Sequence, residues 1–144
     1  MLLYGELLQK LKGENLINNL SHVSLGFKDL KKVLKFYNKI LGLRIVHEFK
    51  NEKNEIYGIF ISCGNKTFLE FFKKKKLNLK NKFHFCLSVK NIYLIKKKLL
   101  KLDKKVNIKR GKTDKILQFM TQDLEGNLIE FHQYDKKSKK FHNK

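Results

Sequence analysis

The sequence predicts an α+β fold made of two similar units, each with the element order βαβββ. Three observations predict it. Short segments alternate apolar and polar residues, segments with helical apolar spacing follow the first strand of each half, and the whole pattern starts again about 62 residues later. A chain of 144 residues can bury a sufficient core without disulfides or a structural metal.

Residues 1–19 are interpreted as a helix and a linker that precede the first unit. Apolar residues recur at helical spacing up to Gly13, and polar residues follow as far as Asn19. We expect an amphipathic helix that packs on the domain or on a partner. Its apolar residues are Leu2, Leu3, Leu7, Leu8 and Leu11.

The first unit, residues 20–72, opens with a predicted strand and helix. Alternation over residues 20–27 indicates a strand with one apolar face. Asp29 is suited to cap the helix that follows, and Gly42 is suited to end it. The predicted buried stripe of this helix comprises Leu30, Val33, Leu34, Tyr37 and Leu41.

Three further strands complete the first unit. They are predicted at residues 43–49, 56–63 and 67–72, where apolar residues alternate with polar ones. Gly64–Asn65 is the predicted hairpin turn between the last two strands. A lysine-rich loop, residues 73–82, then leads to the second unit.

The second unit, residues 83–135, repeats the order. Its first strand begins at Phe83, and Asn91 is suited to cap a helix that carries apolar residues at helical spacing. Strands are predicted near residues 106–109, 115–121 and 127–134. The basic tail, residues 136–144, is predicted to fray.

Chemically distinctive residues recur at equivalent places in the two units. His22 and His84 stand on the polar face of each first strand, and Glu70 and Glu130 stand in each last strand between apolar neighbours. A carboxylate among aromatic residues needs a partner. Two imidazoles and two carboxylates suit a borderline divalent ion such as Ni, Zn, Co, Fe(II) or Mn, so the sequence predicts a metal site.

The charge of the chain needs a separate interpretation. Lys+Arg number 33 and Asp+Glu 13, which gives a formal net charge of +20. Arg44 and Arg110 are the only arginines, and Ala, Pro and Trp are missing. Because this bias is typical of AT-rich coding and base-reading proteins favour arginine, we expect no specific nucleic-acid partner.

The remaining composition is typical of a cytoplasmic protein. Cys63 and Cys86 are too few for a disulfide framework and are interpreted as reduced, half-buried thiols. No apolar stretch approaches the roughly 18 residues that a membrane-spanning helix requires, so no membrane partner is expected.

Several motifs resemble the vicinal oxygen chelate superfamily, and within it the glyoxalase I (lactoylglutathione lyase) proteins. The resemblance runs from residue 20 to about residue 134. The most specific parts are the helix end and the last hairpin. The motifs are Leu20-Ser-His-Val-Ser-Leu, Phe36-Tyr-Asn-Lys-Ile-Leu-Gly-Leu43, Phe68-Leu-Glu70, Phe83-His84-Phe and Asp123-Leu-Glu-Gly-Asn-Leu-Ile-Glu130.

This resemblance implies two modules that form an incomplete β-barrel around one divalent metal, with His22, Glu70, His84 and Glu130 as ligands. Ni, Zn or Co is expected first, and Fe or Mn is the alternative. Extradiol dioxygenases use two His and one Glu, and methylmalonyl-CoA epimerases typically carry Gln at the second position. Glu70 therefore favours the lyase and isomerase branch.

The implied activity is proton transfer through a metal-bound enediolate on a hemithioacetal, such as that of methylglyoxal, or on a related α-hydroxycarbonyl. Glu130 is the preferred base and Glu70 its counterpart. A small-molecule substrate and a homodimer are expected. Whether the two modules pair within one chain or across two chains stays open, because family members do both.

Two departures from the family pattern affect the expected thiol. Bacterial glyoxalase I usually has Arg four residues after the first metal-binding His and Asn four residues after the first Glu. Gly26 and Lys74 occupy these places here, which puts glutathione in doubt. Lys74, Arg110 and Lys112 are the candidates for contact with an anionic substrate.

Two other functions remain as alternatives. The chain could be another enzyme of the superfamily, an epimerase or an Fe(II) dioxygenase, or a protein that binds an antibiotic or other small molecule without chemistry.

Overall fold

The computed structural model describes residues 17, 19–78 and 83–139. The predicted N-terminal helix, residues 1–12, lies outside the described residues.

The first module has one helix and four strands. The helix begins as an α-helix and continues as a π-helix. The elements are β1 (His22–Phe27), α1 (Leu30–Val33, continued by the π-helical Leu34–Ile40), β2 (Ile45–Lys50), β3 (Ile56–Gly64) and β4 (Thr67–Lys73).

The second module repeats this order. Its helix ends in a short 3₁₀ segment, and its second strand is short. The elements are β5 (His84–Ser88), α2 (Ile92–Leu99, continued by the 3₁₀ turn Leu100–Leu102), β6 (Lys109–Arg110), β7 (Leu117–Gln122) and β8 (Leu128–Gln133).

Each module forms its own four-stranded sheet, with the orders β1-β4-β3-β2 and β5-β8-β7-β6. In both sheets the first strand pairs in parallel with the last strand of its module, and the other pairings are antiparallel. The two sheets stay separate and do not close into a barrel. The predicted α+β fold of two equivalent modules is confirmed.

Both helices begin where the sequence predicts. The Asp29 carboxylate accepts a hydrogen bond from the Lys31 N–H at 2.9 Å, and the Asn91 side chain accepts one from the Leu94 N–H at 3.0 Å. Each side chain satisfies a backbone donor that the first helical turn leaves unpaired. Gly42 follows the first helix with a φ of +79°, which suits glycine.

The first helix differs from the prediction in its second half. The Leu41 N–H donates to the Phe36 carbonyl, five residues earlier, at 3.1 Å. This wider turn brings two neighbouring rings inward: Phe36 and Tyr37 are both fully buried. The predicted stripe with ordinary α-helical spacing had omitted Phe36.

Two local expectations are corrected. The turn between β3 and β4 consists of Asn65 and Lys66, which both have positive φ, one residue later than predicted. Positive φ at both central positions is the type I′ geometry that matches strand twist. The predicted strand at residues 106–109 shrinks to Lys109–Arg110, because β6 pairs with β7 through these two residues.

The start of the basic tail is also not frayed. Arg110 holds Asp135 through two hydrogen bonds, of 3.1 and 2.7 Å, and Ser138 is buried. The Lys139 N–H donates to the Asp114 carbonyl at 2.7 Å. A charged segment that finds specific partners folds back on the domain, so residues 135–139 close the second module.

One hydrophobic core joins the two modules. Residues of both sheets and both helices are buried in it, among them Phe27, Phe71, Phe85 and Phe131. The apolar face of each sheet therefore points inward. Because side chains alternate along a strand, the opposite face, which carries the predicted metal ligands, points away from this core.

Candidate metal centre

The first module brings its predicted ligand pair together. β1 and β4 run in parallel with Ser24 opposite Glu70, so His22 and Glu70 share the open face of the sheet. His22 Nε2 lies 3.8 Å from Glu70 Oε2. The imidazole side chain is 44% exposed and the carboxylate 14% exposed, so the pair is open to solvent on the histidine side.

The second module brings its pair closer. His84 Nε2 lies 3.2 Å from Glu130 Oε2, and the His84 side chain is 42% exposed. β5 and β8 have the same parallel pairing as β1 and β4, with Cys86 opposite Glu130 where Ser24 lies opposite Glu70. The repeat in the sequence therefore produces two equivalent His–Glu pairs in space.

Two more donor side chains stand beside Glu130. His132 Nε2 lies 3.0 Å from Glu130 Oε1. One ligand atom each from Cys86, Glu130 and His132 lies within 4.8 Å of the others. Cys86 and His132 each stand two positions from a predicted ligand and therefore on the same face. From the sequence, His132 shares the strand face of Glu130 and could line the pocket, although an ordinary role is the expected one, and Cys86 is expected only as a reduced thiol.

One chain does not gather the four predicted ligands into a single group. Across residues 17, 19–78 and 83–139, no set of three donors within 4.8 Å contains His22 or Glu70. Each His–Glu pair belongs to a different sheet, and the modules pack through the opposite faces. The chain thus carries two half-sites.

The donors fit a divalent transition metal. Each half-site offers imidazole nitrogen and carboxylate oxygen, and the second adds a thiol. His132 Nε2 is buried and lacks a hydrogen-bond partner among the described residues, although it lies at ion-pair distance from Glu130. A buried imidazole nitrogen without a hydrogen bond is costly, and a cation bound by both groups would lower that cost.

The Cys86 thiol is protonated in this environment. Loss of water around the sulfur, and then the charge of Glu130, raise the pKa of Cys86 to about 12. Both causes disfavour the thiolate, and a nearby cation would oppose them.

The open face of the first module is also aromatic. The Phe60 and Phe68 rings stack with centroids 5.7 Å apart, and the His22 ring lies 5.9 Å from Phe60. Phe49 and Tyr57 extend this surface around Phe72, with centroids 5.1 and 6.0 Å from it. An apolar wall therefore adjoins the first half-site.

Lys74 packs over Gly26, which occupies the place where bacterial glyoxalase I usually has arginine. A Cβ built on Gly26 would lie 2.9 Å from Lys74 Cγ and 2.8 Å from Leu77 Cδ2. The Lys74 N–H donates to the Phe27 carbonyl at 2.8 Å, which anchors the lysine backbone beside β1. The two departures in the sequence are therefore spatial neighbours: a side chain at 26 would displace Lys74.

The other two basic candidates lie in the second module. Arg110 donates to the Asp135 carboxylate and to the Lys115 carbonyl, and its hydrogen bond to Asp135 raises the pKa of Arg110. Lys112 is exposed in the loop between β6 and β7. Lys74 is the candidate that contacts β1, the strand that carries His22 of the first half-site.

A family match identifies this arrangement. Residues 19–131 match the Glyoxalase/Bleomycin resistance protein/Dioxygenase superfamily. The chain belongs to this superfamily. The resemblance drawn from the motifs is confirmed, and the superfamily typically binds a divalent metal. No curated protein matches the chain.

Several solved structures of this superfamily fold are similar to the chain. A glyoxalase family protein from Bacillus anthracis is 21% identical with a TM-score of 0.71, covering 85% of this chain and 100% of its own. The fosfomycin resistance protein FosX from Listeria monocytogenes is 15% identical, with a TM-score of 0.66 and coverages of 84% and 97%.

Lactoylglutathione lyase from Agrobacterium tumefaciens is 18% identical, with a TM-score of 0.63 and coverages of 83% and 96%. At these identities the similarity shows the superfamily fold alone. Among the described residues, no helix is long and apolar enough to span a membrane.

Proposed function

We propose that this chain is a metal-dependent lyase or isomerase of the glyoxalase I type, with His22, Glu70, His84 and Glu130 as metal ligands. The observation that carries the proposal is the equivalent His–Glu pair on the open face of each module, at 3.8 and 3.2 Å. Family membership and a lactoylglutathione lyase among the similar structures support it.

In this proposal the four ligands hold one divalent ion, for which Ni, Zn and Co are the favoured candidates. The ion would act as a Lewis acid toward two adjacent substrate oxygens. The substrate is a hemithioacetal or a related α-hydroxycarbonyl.

Glu130 is the proposed base. It removes the proton from the carbon that carries the hydroxyl group and returns it to the neighbouring carbonyl carbon, while the hydroxyl proton moves to the former carbonyl oxygen, so that no proton is lost overall. Its carboxylate is only 16% exposed and lies between His84 and His132, at 3.2 and 3.0 Å. Each carboxylate oxygen therefore has an imidazole nitrogen at ion-pair distance. Glu70 is its counterpart in the first module.

A homodimer completes the site in this proposal. One chain exposes two half-sites on faces that point away from its core, so each half-site needs the complementary module of a second chain. A two-fold symmetric dimer supplies both at once: His22 and Glu70 of one chain meet His84 and Glu130 of the other.

Lys74 is the proposed contact for a negatively charged thiol. It lies over Gly26 beside the first half-site, whereas the Arg110 charge is already paired with Asp135. We expect Lys74→Ala to raise KM for an anionic thiol adduct by about tenfold with little change in kcat, the result expected when a binding contact alone is lost. Lys76→Ala, an exposed lysine of the same loop, is the matched control.

The activity is tested with methylglyoxal and a panel of thiols, after metal content has been measured on protein purified without chelator. Near-stoichiometric metal and turnover that disappears in Glu130→Gln support the proposal. Glu48→Gln, which alters an exposed carboxylate paired with Lys50 at 2.9 Å, should keep full turnover. Metal-free protein that cannot be reconstituted would overturn it.

The dimer is tested by mixing two inactive variants, His22→Gln and His84→Gln. If each site combines two chains, half of the randomly paired dimers are mixed and each has one intact site, so activity returns to about a quarter of normal. If both half-sites of one chain form the site, every site is broken and the mixture stays inactive.

The aromatic wall favours a second candidate, a protein that binds an apolar small molecule without chemistry. Stacked rings beside His22 suit a flat or apolar ligand. This function predicts ligand binding that survives Glu130→Gln and is weakened by Phe60→Ala, with no turnover of any thiol adduct.

A further inference from the structure

The second module carries two donors beside Glu130, Cys86 and His132, that the four-ligand site does not use. Pairing of β5 with β8 sets Cys86 opposite Glu130 and Ser88 opposite His132. Since alternate residues share a face, Cys86, Glu130 and His132 lie side by side on one sheet surface. One atom from each comes within 4.8 Å of the other two.

One of these donors, His132, is at ion-pair distance from Glu130 but makes no hydrogen bond among the described residues. His132 Nε2 has almost no contact with solvent and makes no hydrogen bond within the part of the chain that is described. It faces Glu130 Oε1 at 3.0 Å. A buried imidazole nitrogen is therefore directed at a carboxylate, inside a group of potential metal ligands.

The types of donor atom indicate which metal ion would bind. Imidazole, carboxylate and thiolate together are typical of zinc and cobalt sites, whereas magnesium and calcium prefer oxygen alone. A thiolate and a carboxylate carry two negative charges, which a divalent ion neutralises. All three residues belong to one module, so no second chain is needed.

We propose that Cys86, Glu130 and His132 form a metal-binding triad that holds Zn²⁺ or Co²⁺ within a single chain. Binding replaces the S–H bond of Cys86 with a sulfur–metal bond and releases the proton to solvent, with no change of oxidation state. The triad shares Glu130 with the proposed four-ligand site but requires neither a dimer nor turnover.

The test is a Co²⁺ titration of the full chain after metal removal. A thiolate ligand gives a near-ultraviolet sulfur-to-cobalt charge-transfer band, which imidazole and carboxylate do not. We expect one band equivalent per chain and release of one proton. Cys86→Ser should abolish the band and weaken Co²⁺ binding by more than about tenfold.

Two variants provide the controls. Cys63→Ser removes the half-buried cysteine of β3, which belongs to the other module, and should leave the band unchanged. His22→Gln breaks the four-ligand site and should also leave it unchanged. A band that persists in Cys86→Ser, or one that disappears in Cys63→Ser, overturns the triad.

The outcomes separate this inference from the proposed function. Stoichiometric Co²⁺ without a thiolate band, lost in His22→Gln, refutes the triad and leaves the lyase site standing. A thiolate band in a protein that turns over no thiol adduct supports the triad and counts against the lyase.

Discussion

The contact between Tyr37 and Asp123 links the two modules, and its removal should be measurable. Tyr37, fully buried in the first helix, donates its hydroxyl hydrogen to Asp123 Oδ2 at 2.8 Å. Asp123 also accepts from the Asn127 side chain at 2.7 Å and from two backbone N–H groups, of Glu125 and Asn127. The β7–β8 turn thus depends on the same carboxylate that accepts the hydrogen bond from the first module.

The expected magnitude follows from these contacts. A hydrogen bond to a charged group contributes about 1.5–3 kcal/mol. Because Asp123 keeps three other donors when Tyr37 becomes Phe, we expect the lower end, a loss of about 1.5 kcal/mol. For a chain of this size that lowers Tm by about 5 °C. Asp123→Ala removes all four contacts and should cost about 4 kcal/mol.

Urea unfolding followed by circular dichroism measures both values, and the double variant gives the coupling between the two residues, expected at about 1 kcal/mol or more. Tyr57→Phe is the matched control, because Tyr57 is 43% exposed; it should change stability by less than about 0.5 kcal/mol. Additive losses, or a Tyr37→Phe variant as stable as the parent, would refute the reasoning.

Three further predictions concern pH and packing. Burial, and then the charge of Asp123, raise the pKa of Tyr37 well above its usual value. The unfolded chain therefore loses this proton at lower pH than the folded one, and stability falls above about pH 10. When Tm is measured against pH, this fall should be shallower in Tyr37→Phe. The hydrogen bond from Arg110 lowers the pKa of Asp135, so the pair stabilises the fold above about pH 4 and stabilises it less as the pH falls further. Asp135→Asn should flatten the acid limb of the same Tm profile. An unchanged limb would exclude the pair as its cause. Gly58→Ala would place a methyl group 2.5 Å from the ring of Phe72, and we expect a loss of about 2 kcal/mol in urea unfolding.

Much of the candidate site could be predicted because it depends on local periodicity. Alternation along a strand assigned His22 and His84 to a polar face, and the repeat matched Glu70 with Glu130; the structure brings each pair within 4 Å. Whether the four residues bind one metal remains a prediction. The Lys74 and Gly26 contact was not predictable, because their adjacency comes from the pairing of β1 with β4.

The sequence by itself determined the two repeated modules, the helix caps at Asp29 and Asn91, and the face of each strand, since these follow from spacing and from short-range hydrogen bonds. Only the tertiary structure decided which faces meet. Burial of the shared core turned the two ligand faces outward, strand pairing placed Cys86 beside Glu130, and packing joined Tyr37 to Asp123 across the modules. These contacts connect residues far apart in the chain, and no local pattern encodes them.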